Sequence, residues 1–255
     1  MAQRVLAEVA ARLSREARER DVPLRLAERI GAIVRDTELA TPVDAALAAL
    51  NARPASYPDK LTALEEVARQ LGDDWTQDAT SFLAVTIAMG RLQCLLRRIS
   101  QGRPAEPSDA PRGKSLLLTP PNEEHTFGVC LLEELMRAYG WETTIYRADS
   151  VESLVKRMEK SQIDIVCFSW TNAALAPSVG DCVKAIDQLP AANRPAIISG
   201  GHAAGQNPAW LVRLGVNYVC ESVYVAVQIA DVHLRELRAV SRQDSTPLAC
   251  ADPRP

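Results

Sequence analysis

Chemistry-bearing side chains crowd into one short stretch of the chain, "TPPNEEHTFGVC" at residues 119–130. It holds His125, one of only three histidines, with Glu123 two residues before it and Thr126 and Gly128 behind. A neutral imidazole is a good ligand for a transition metal. A carboxylate on its other ring nitrogen fixes the tautomer and raises the basicity of the free nitrogen. Two further stretches offer hydroxyls and permissive backbone: "SWTN" at 169–172 and "SGGH" at 199–202. The Gly200-Gly201 pair lets a ligand come close to the main chain. Blander readings stand beside these. His125 also reads as a polar loop residue and Ser169 as the residue that ends a strand. His202 reads as a loop histidine, and His233, inside a helical stretch, as structural. No Ser-His-Asp set and no P-loop pattern occurs, so the chain by itself is not a complete enzyme.

Such loops need a scaffold, and the hydrophobic period says which. Residues 101–114, "QGRPAEPSDAPRGK", carry three prolines and two glycines and read as a linker. Before it the period is helical. Val5, Leu6, Val9 and Leu13 form one stripe; Leu26, Ile30, Ile33 and Val34 form another. "PVDAALAALNA" opens with proline in its first turn, and "PDKLTALEEVARQLG" ends at Gly72, a plausible C-cap. Phe82, Val85, Met89, Leu92 and Leu96 mark a last helix with an inward face. The expectation is a bundle of four or five helices over residues 1–100.

After the linker, strands alternate with helices. Leu116–Leu118, "TTIYRA", "IDIVCFSW", "PAIISGG" and "VNYVC" are the strands, with amphipathic helices between them. This predicts a doubly wound, Rossmann-like (flavodoxin-like) α/β domain with five parallel strands over residues 115–240. The tail, 241–255, reads as flexible. In such sheets ligands gather outside the carboxyl ends of the strands. There the loops after the first, third and fourth strands bring His125, Ser169–Asn172 and Gly200–His202 together.

Composition narrows the function classes. The chain has 255 residues, 47% of them hydrophobic, and a net charge of −3. That charge argues against a broad nucleic-acid footprint. No apolar run approaches the roughly 18–20 residues of a membrane span. The six cysteines form no CxxC pair, which excludes a zinc ribbon and covalent c-type haem and suits the cytoplasm.

The three loops together carry a resemblance. Glu123-x-His125-x-x-Gly128 resembles the D-x-H-x-x-G signature of the cobalamin-binding domain family, with Glu for Asp. Ser169-x-Thr171 is similar to that family's S-x-L element, and Gly200-Gly201 to its later glycine pair. The resemblance covers roughly residues 60–240 and includes the preceding helical bundle. It implies that His125 is the lower axial ligand to cobalt, supported by Glu123, with Thr126 in the same loop. Ser169 and Thr171 would line the slot for the displaced nucleotide tail, Gly200-Gly201 would let that tail pass, and Gly128 would permit the turn into the next helix. Glutamate is one methylene longer than aspartate, so a shifted or water-bridged contact to His125 is expected.

Within the family, "LLLTPPNEEHTFG" and the segment 73–97, with its W…VT…G-RLQ pattern, look like AerR/PpaA-type regulators of photosynthesis genes. The resemblance implies a cobalamin-dependent, light-responsive antirepressor that binds a transcriptional repressor rather than DNA, with a possible homodimer. CarH-type photoreceptors have Glu-His at the spacing where this chain has Val85-Thr86. No MerR-type DNA-binding domain precedes the bundle. Trp75, Val85 and Thr86 would cap the upper face of the corrin, carried as adenosylcobalamin or hydroxocobalamin. Two alternatives stay open: a corrinoid methyl carrier of a methyltransferase system, and haem in place of cobalamin, with His125 on iron. A cofactor-free binding module is the third reading.

Overall fold

The computed structural model describes residues 21–103 and 111–244, together with Arg12. The stripe Val5–Leu13, the middle of the linker and the end of the tail lie outside the described residues. Among the described residues from 21 on, four helices come first: α1 (Asp21–Arg35), α2 (Pro42–Asn51), α3 (Tyr57–Thr76) and α4 (Phe82–Gln101). On α1 the predicted stripe is inward, with Leu26, Ile30 and Val34 buried. A reciprocal capping box starts α3: Ser56 Oγ accepts the N–H of Asp59, and the Asp59 carboxylate accepts the N–H of Ser56.

Two helix expectations change. Gly72 does not end α3; the helix continues to Thr76. Its exit is made instead by Asp78, with φ +54°, and by the N–H of Ala79 on the carbonyl of Asp74. The carboxylate of Asp74 is held by Arg35 of α1, which keeps the last turn of α3 in place. On α4 the inward face is only half what the spacing predicted. Ala88, Leu92, Leu95, Leu96 and Ile99 are buried, but Phe82 is 72% exposed and Leu83 68%. The first turn of α4 therefore holds exposed apolar residues that no described residue covers.

The second half is a five-stranded, all-parallel sheet of order β2-β1-β3-β4-β5. Its strands are β1 (Lys114–Thr119), β2 (Glu142–Arg147), β3 (Ile165–Ser169), β4 (Ala196–Gly200) and β5 (Tyr218–Cys220). The helices between and after them are α5 (Phe127–Ala138), α6 (Val151–Glu159), α7 (Ala176–Asp187), α8 (His202–Gln206), α9 (Pro208–Leu214) and α10 (Val223–Asp244). The chain leaves β1 in one direction and returns on its other side as β3. That makes β1/β3 the topological switch point, where adjacent loops part and leave a crevice.

The sheet alternates as a doubly covered sheet must. Leu116 and Leu118 face one core with α6 and α7; Leu117 faces another with α5 and α10. That second core runs on without a break through Leu61, Leu64 and Val67 of α3 into α1, α2 and α4. The helical layer therefore shares its core with one face of the sheet. Among the described residues, no helix is long and apolar enough to cross a membrane.

Candidate cofactor site

The loop after β1 reverses at Pro120–Glu123. The N–H of Glu123 donates to the carbonyl of Pro120, and Asn122 takes φ +66°. Proline early in such a turn and asparagine at its left-handed position are what the geometry asks for. The turn puts Glu123 inside, with its side chain 1% exposed, and His125 outside, at 63%.

Glu123 is held on both oxygens. Oε1 accepts from the His125 backbone N–H at 2.9 Å and lies 2.6 Å from His125 Nδ1. Oε2 accepts from the backbone N–H of Thr171 at 2.7 Å and of Asn172 at 3.2 Å. The expected shift or water bridge is absent. The extra methylene lets the carboxylate span two loops and grip the ring directly. A carboxylate only accepts, so Nδ1 carries the proton and Nε2 is left with its lone pair toward solvent. Burial alone would raise the Glu123 pKa. The N–H of Thr171, both donors of His125 and the N–H of Asn172 outweigh that and hold the carboxyl below its ordinary range.

Thr171 thus contributes its backbone, not the hydroxyl that the motif pointed to. Ser169 sits at the end of β3 against the first turn of α5: a Cβ on Gly128 would lie 3.3 Å from its Oγ. Gly128 has no positive φ and lies inside α5, so it serves close approach rather than the turn into the helix. The positive φ of this loop falls on Asn122. Thr126 precedes α5 and makes no side-chain cap to it.

Gly201 has φ +98°, and a Cβ there would fall 2.2 Å from the carbonyl oxygen of Trp170. A Cβ on Gly200 would lie 3.3 Å from the carbonyl oxygen of Cys220 on β5. The pair is needed first for the sheet end to pack on the β3 loop. Trp170 itself is fully buried, its indole N–H donating to Ser199 Oγ at 3.1 Å. Sequence reasoning placed Trp170 and Asn172 in the converging loop without a role of their own and gave none to Asn122, which only the Pro-Pro-Asn run signalled. His202 is exposed and within hydrogen-bonding distance of Gln206 (2.8 Å), and half-buried His233 sits 3.0 Å from the Tyr218 hydroxyl; both are structural placements.

The last turn of α3 and the start of α4 carry the other residues of interest. Trp75 is 50% exposed, Val85 partly so, and exposed Thr86 donates its hydroxyl to the carbonyl of Phe82. The link from these residues to the His125 loop runs through helix packing: α3 and α4 both lie against α5, which begins two residues after His125. Among the described residues, no three His, Cys, Asp or Glu side chains cluster to hold a bare ion. A single anchored imidazole with a free Nε2 instead suits a metal that arrives inside a macrocycle, and the residues present fit a corrin on that count.

Comparison with known proteins agrees. Residues 113–226 match the family model of the B12 binding domain. An uncharacterized 20.5 kDa protein in the bchF-crtJ intergenic region of Rhodobacter capsulatus is 27% identical over 165 residues, covering 64% of this chain and 85% of that protein. The monomethylamine corrinoid protein of Methanosarcina barkeri superposes with a TM-score of 0.62 at 15% identity, over 83% of this chain and 98% of that one, which shows a shared fold. A cobalamin-binding protein from Desulfitobacterium hafniense DCB-2 gives 0.46 at 17% identity, over 84% of this chain and 98% of that one. The stretch that matches the B12 binding domain model, residues 113–226, holds the histidine turn at the switch point of the sheet.

Proposed function

We propose that the chain is a cobalamin-dependent, light-responsive regulator that acts through a partner repressor protein. The observation that carries this reading is the free Nε2 of exposed His125 above a buried, fully bonded carboxylate. Cobalamin, when bound, would supply a light-sensitive cobalt centre, and His125 is the residue that would hold it. The rest is done by the chain's own residues. Glu123 holds the His125 ring in one tautomer and one orientation, because four N–H groups fix the carboxylate. Trp75, Phe82 and Leu83 offer an apolar cover that nothing else occupies. Val85 and Thr86 offer no imidazole, so the cover shields rather than ligates. A cover of this kind senses what lies on the upper face, and a helical layer that shifts with it presents a changed surface to a partner. The Rhodobacter relative, placed between bchF and crtJ, supports a regulatory setting.

A second reading has its own support. The shared fold with the M. barkeri corrinoid protein covers 98% of that chain and favours a methyl carrier. One experiment separates the readings. The apoprotein and His125→Ala are incubated with hydroxocobalamin, adenosylcobalamin or haemin, desalted, and their spectra recorded in the dark and after blue or green light. Retained cobalamin that depends on His125, with a light-dependent spectrum and repressor affinity, is the expected result. Retained cobalamin that ignores light but is methylated by a partner methyltransferase makes the chain a carrier. A haem band alone moves it to haem sensing, and no retained colour leaves a binding module.

A further inference from the structure

The helical layer touches the sheet domain largely through apolar packing, and α3 also reaches across the boundary with two polar side chains, Tyr57 and Glu65. At its start, the Tyr57 hydroxyl donates to Glu134 of α5 at 2.8 Å, and Arg103 closes on the same carboxylate oxygen at 2.9 Å. Two turns on, Glu65 Oε1 accepts the N–H of Val223, the first residue of α10, at 2.8 Å. The first amides of a helix have no partner inside it. Ser222 serves the next ones, its hydroxyl accepting from Val225 and its carbonyl from Ala226. A carboxylate from the helical layer thus caps a helix of the sheet domain. It does so just past the carboxyl end of β5, on the sheet edge that carries the His125 loop.

The two contacts differ in kind. Tyr57–Glu134–Arg103 is a closed set with its charge balanced. Glu65 has one amide and no cation of its own. On its own helix, Arg69 is engaged by Glu66 and Asp73. β5 turns the neutral thiol of Cys220 toward it, with Glu221 the next residue along the chain. Among the neighbouring charges, Arg35 of α1 is held by Asp74, Arg91 of α4 by the carbonyls of Val34 and Asp36, and Glu134 of α5 by Tyr57 and Arg103. We propose that the Glu65–Val223 contact is a releasable latch, the point at which the helical layer parts from the sheet domain while Tyr57 and Glu134 keep hold as the hinge. In its use of a moving layer this rests on the regulator reading above; the latch itself needs no cofactor.

A latch of this kind responds to protons. Burial, ahead of every other cause, pushes the Glu65 carboxyl from its ordinary 4.5 up to about 7, against the pull of the Val223 amide. The closed state therefore binds the proton more tightly than the open one. Closure is strongest below 4.5, weakens as pH rises from there to about 7, and is constant above. Protonated Glu65 still accepts from Val223 through its carbonyl oxygen, so the contact survives while the half-buried charge is gone.

Hydrogen exchange read by mass spectrometry on the full-length apoprotein tests this in the dark, with rates corrected for intrinsic exchange, on peptides spanning 59–70 and 218–228. Opening of the 218–228 segment is expected to rise at least about tenfold from pH 5 to pH 8, under a ceiling of roughly 300-fold set by the pKa pair. Glu65→Gln, which keeps an acceptor and cannot ionise, is expected to stay closed at both values. Tyr57→Phe is expected to open more at both, with the pH response unchanged. Should Glu65→Gln fail to fold, the wild-type profile still decides by its midpoint. A wild-type profile flat from pH 5 to pH 8, or a Glu65→Gln profile as steep as wild type, overturns the latch. A second run on cobalamin-loaded protein, dark and lit, keeps the two readings apart. A pH response without a light response leaves the latch standing and removes the light reading.

Discussion

Replacing Glu123 by glutamine tests the site most sharply, because the two side chains have the same shape and differ by one proton-bearing group. Glu123 accepts from four N–H groups, two on each oxygen. Glutamine has one acceptor oxygen. If that oxygen turns to Thr171 and Asn172, its NH2 faces the backbone N–H and ring of His125. The ring must then move its proton to Nε2 and offer Nδ1 as acceptor, which removes the lone pair a metal needs. If the oxygen turns to His125 instead, the amides of Thr171 and Asn172 face another donor in a buried place. Hydrogen bonds to charged groups are worth about 1.5–3 kcal/mol each and a buried donor left alone costs about 1–3 kcal/mol, so a loss of roughly 2–4 kcal/mol in folding stability is expected. Loss of the group that orients a metal-binding histidine typically costs about 10–100-fold in affinity. The assay pairs urea unfolding with titration of hydroxocobalamin into apoprotein, followed by absorbance. Glu123→Asp, a methylene short of spanning both loops, should fall between wild type and glutamine. A Glu123→Gln protein with wild-type urea midpoint and wild-type cobalamin affinity would refute the reasoning.

Three further outcomes follow from the same geometry. Gly201→Ala places a methyl against the Trp170 carbonyl at a φ of +98°, and a loss of about 3 kcal/mol is expected in thermal or urea unfolding. Glu123, whose folded pKa is depressed, contributes stability that is present above its unfolded value of about 4.3 and lost as pH falls through the folded one; the urea midpoint should drop on acidification toward pH 3, and Glu123→Gln should flatten that drop. Trp75→Ala, at a half-exposed position, should shift stability by less than about 1 kcal/mol while bound cobalamin dissociates several-fold faster in a stopped-flow chase; an unchanged off-rate would remove Trp75 from the cover.

Much of this molecule could be read along the chain. Five strands alternating with helices were legible because buried parallel strands are nearly all apolar and surface helices are striped, and both patterns are local. The three loops were legible as neighbours because a doubly wound topology brings the ends of its strands to one edge. Glu123 and His125 were legible as a pair because two residues of spacing in one turn leave little choice of partner. The role of Thr171 was not, because a backbone amide has no residue type to betray it. Gly128 and Gly201 were legible as special, yet their reason is the neighbour each would strike, Ser169 and Trp170, both distant in sequence.

The end of α3 and the bare face of α4 mark the same divide. Gly72 looks like a stop, but a glycine is tolerated inside a helix whose next turn is anchored from outside, here by Arg35 on Asp74. Phe82 and Leu83 look like core, since periodicity reports which side of a helix is apolar and never whether anything covers it. Sequence alone determined the fold class and the sheet edge to which the loops of His125, Ser169 and Gly200 come, because these depend on local pattern and on rules of connection. Tertiary structure alone decided how Glu123 spans two loops, which glycines are forced, and that Glu65 reaches from one layer to cap a helix in another. Those depend on the meeting of groups up to 158 positions apart, a distance over which a single chain carries no periodic signal.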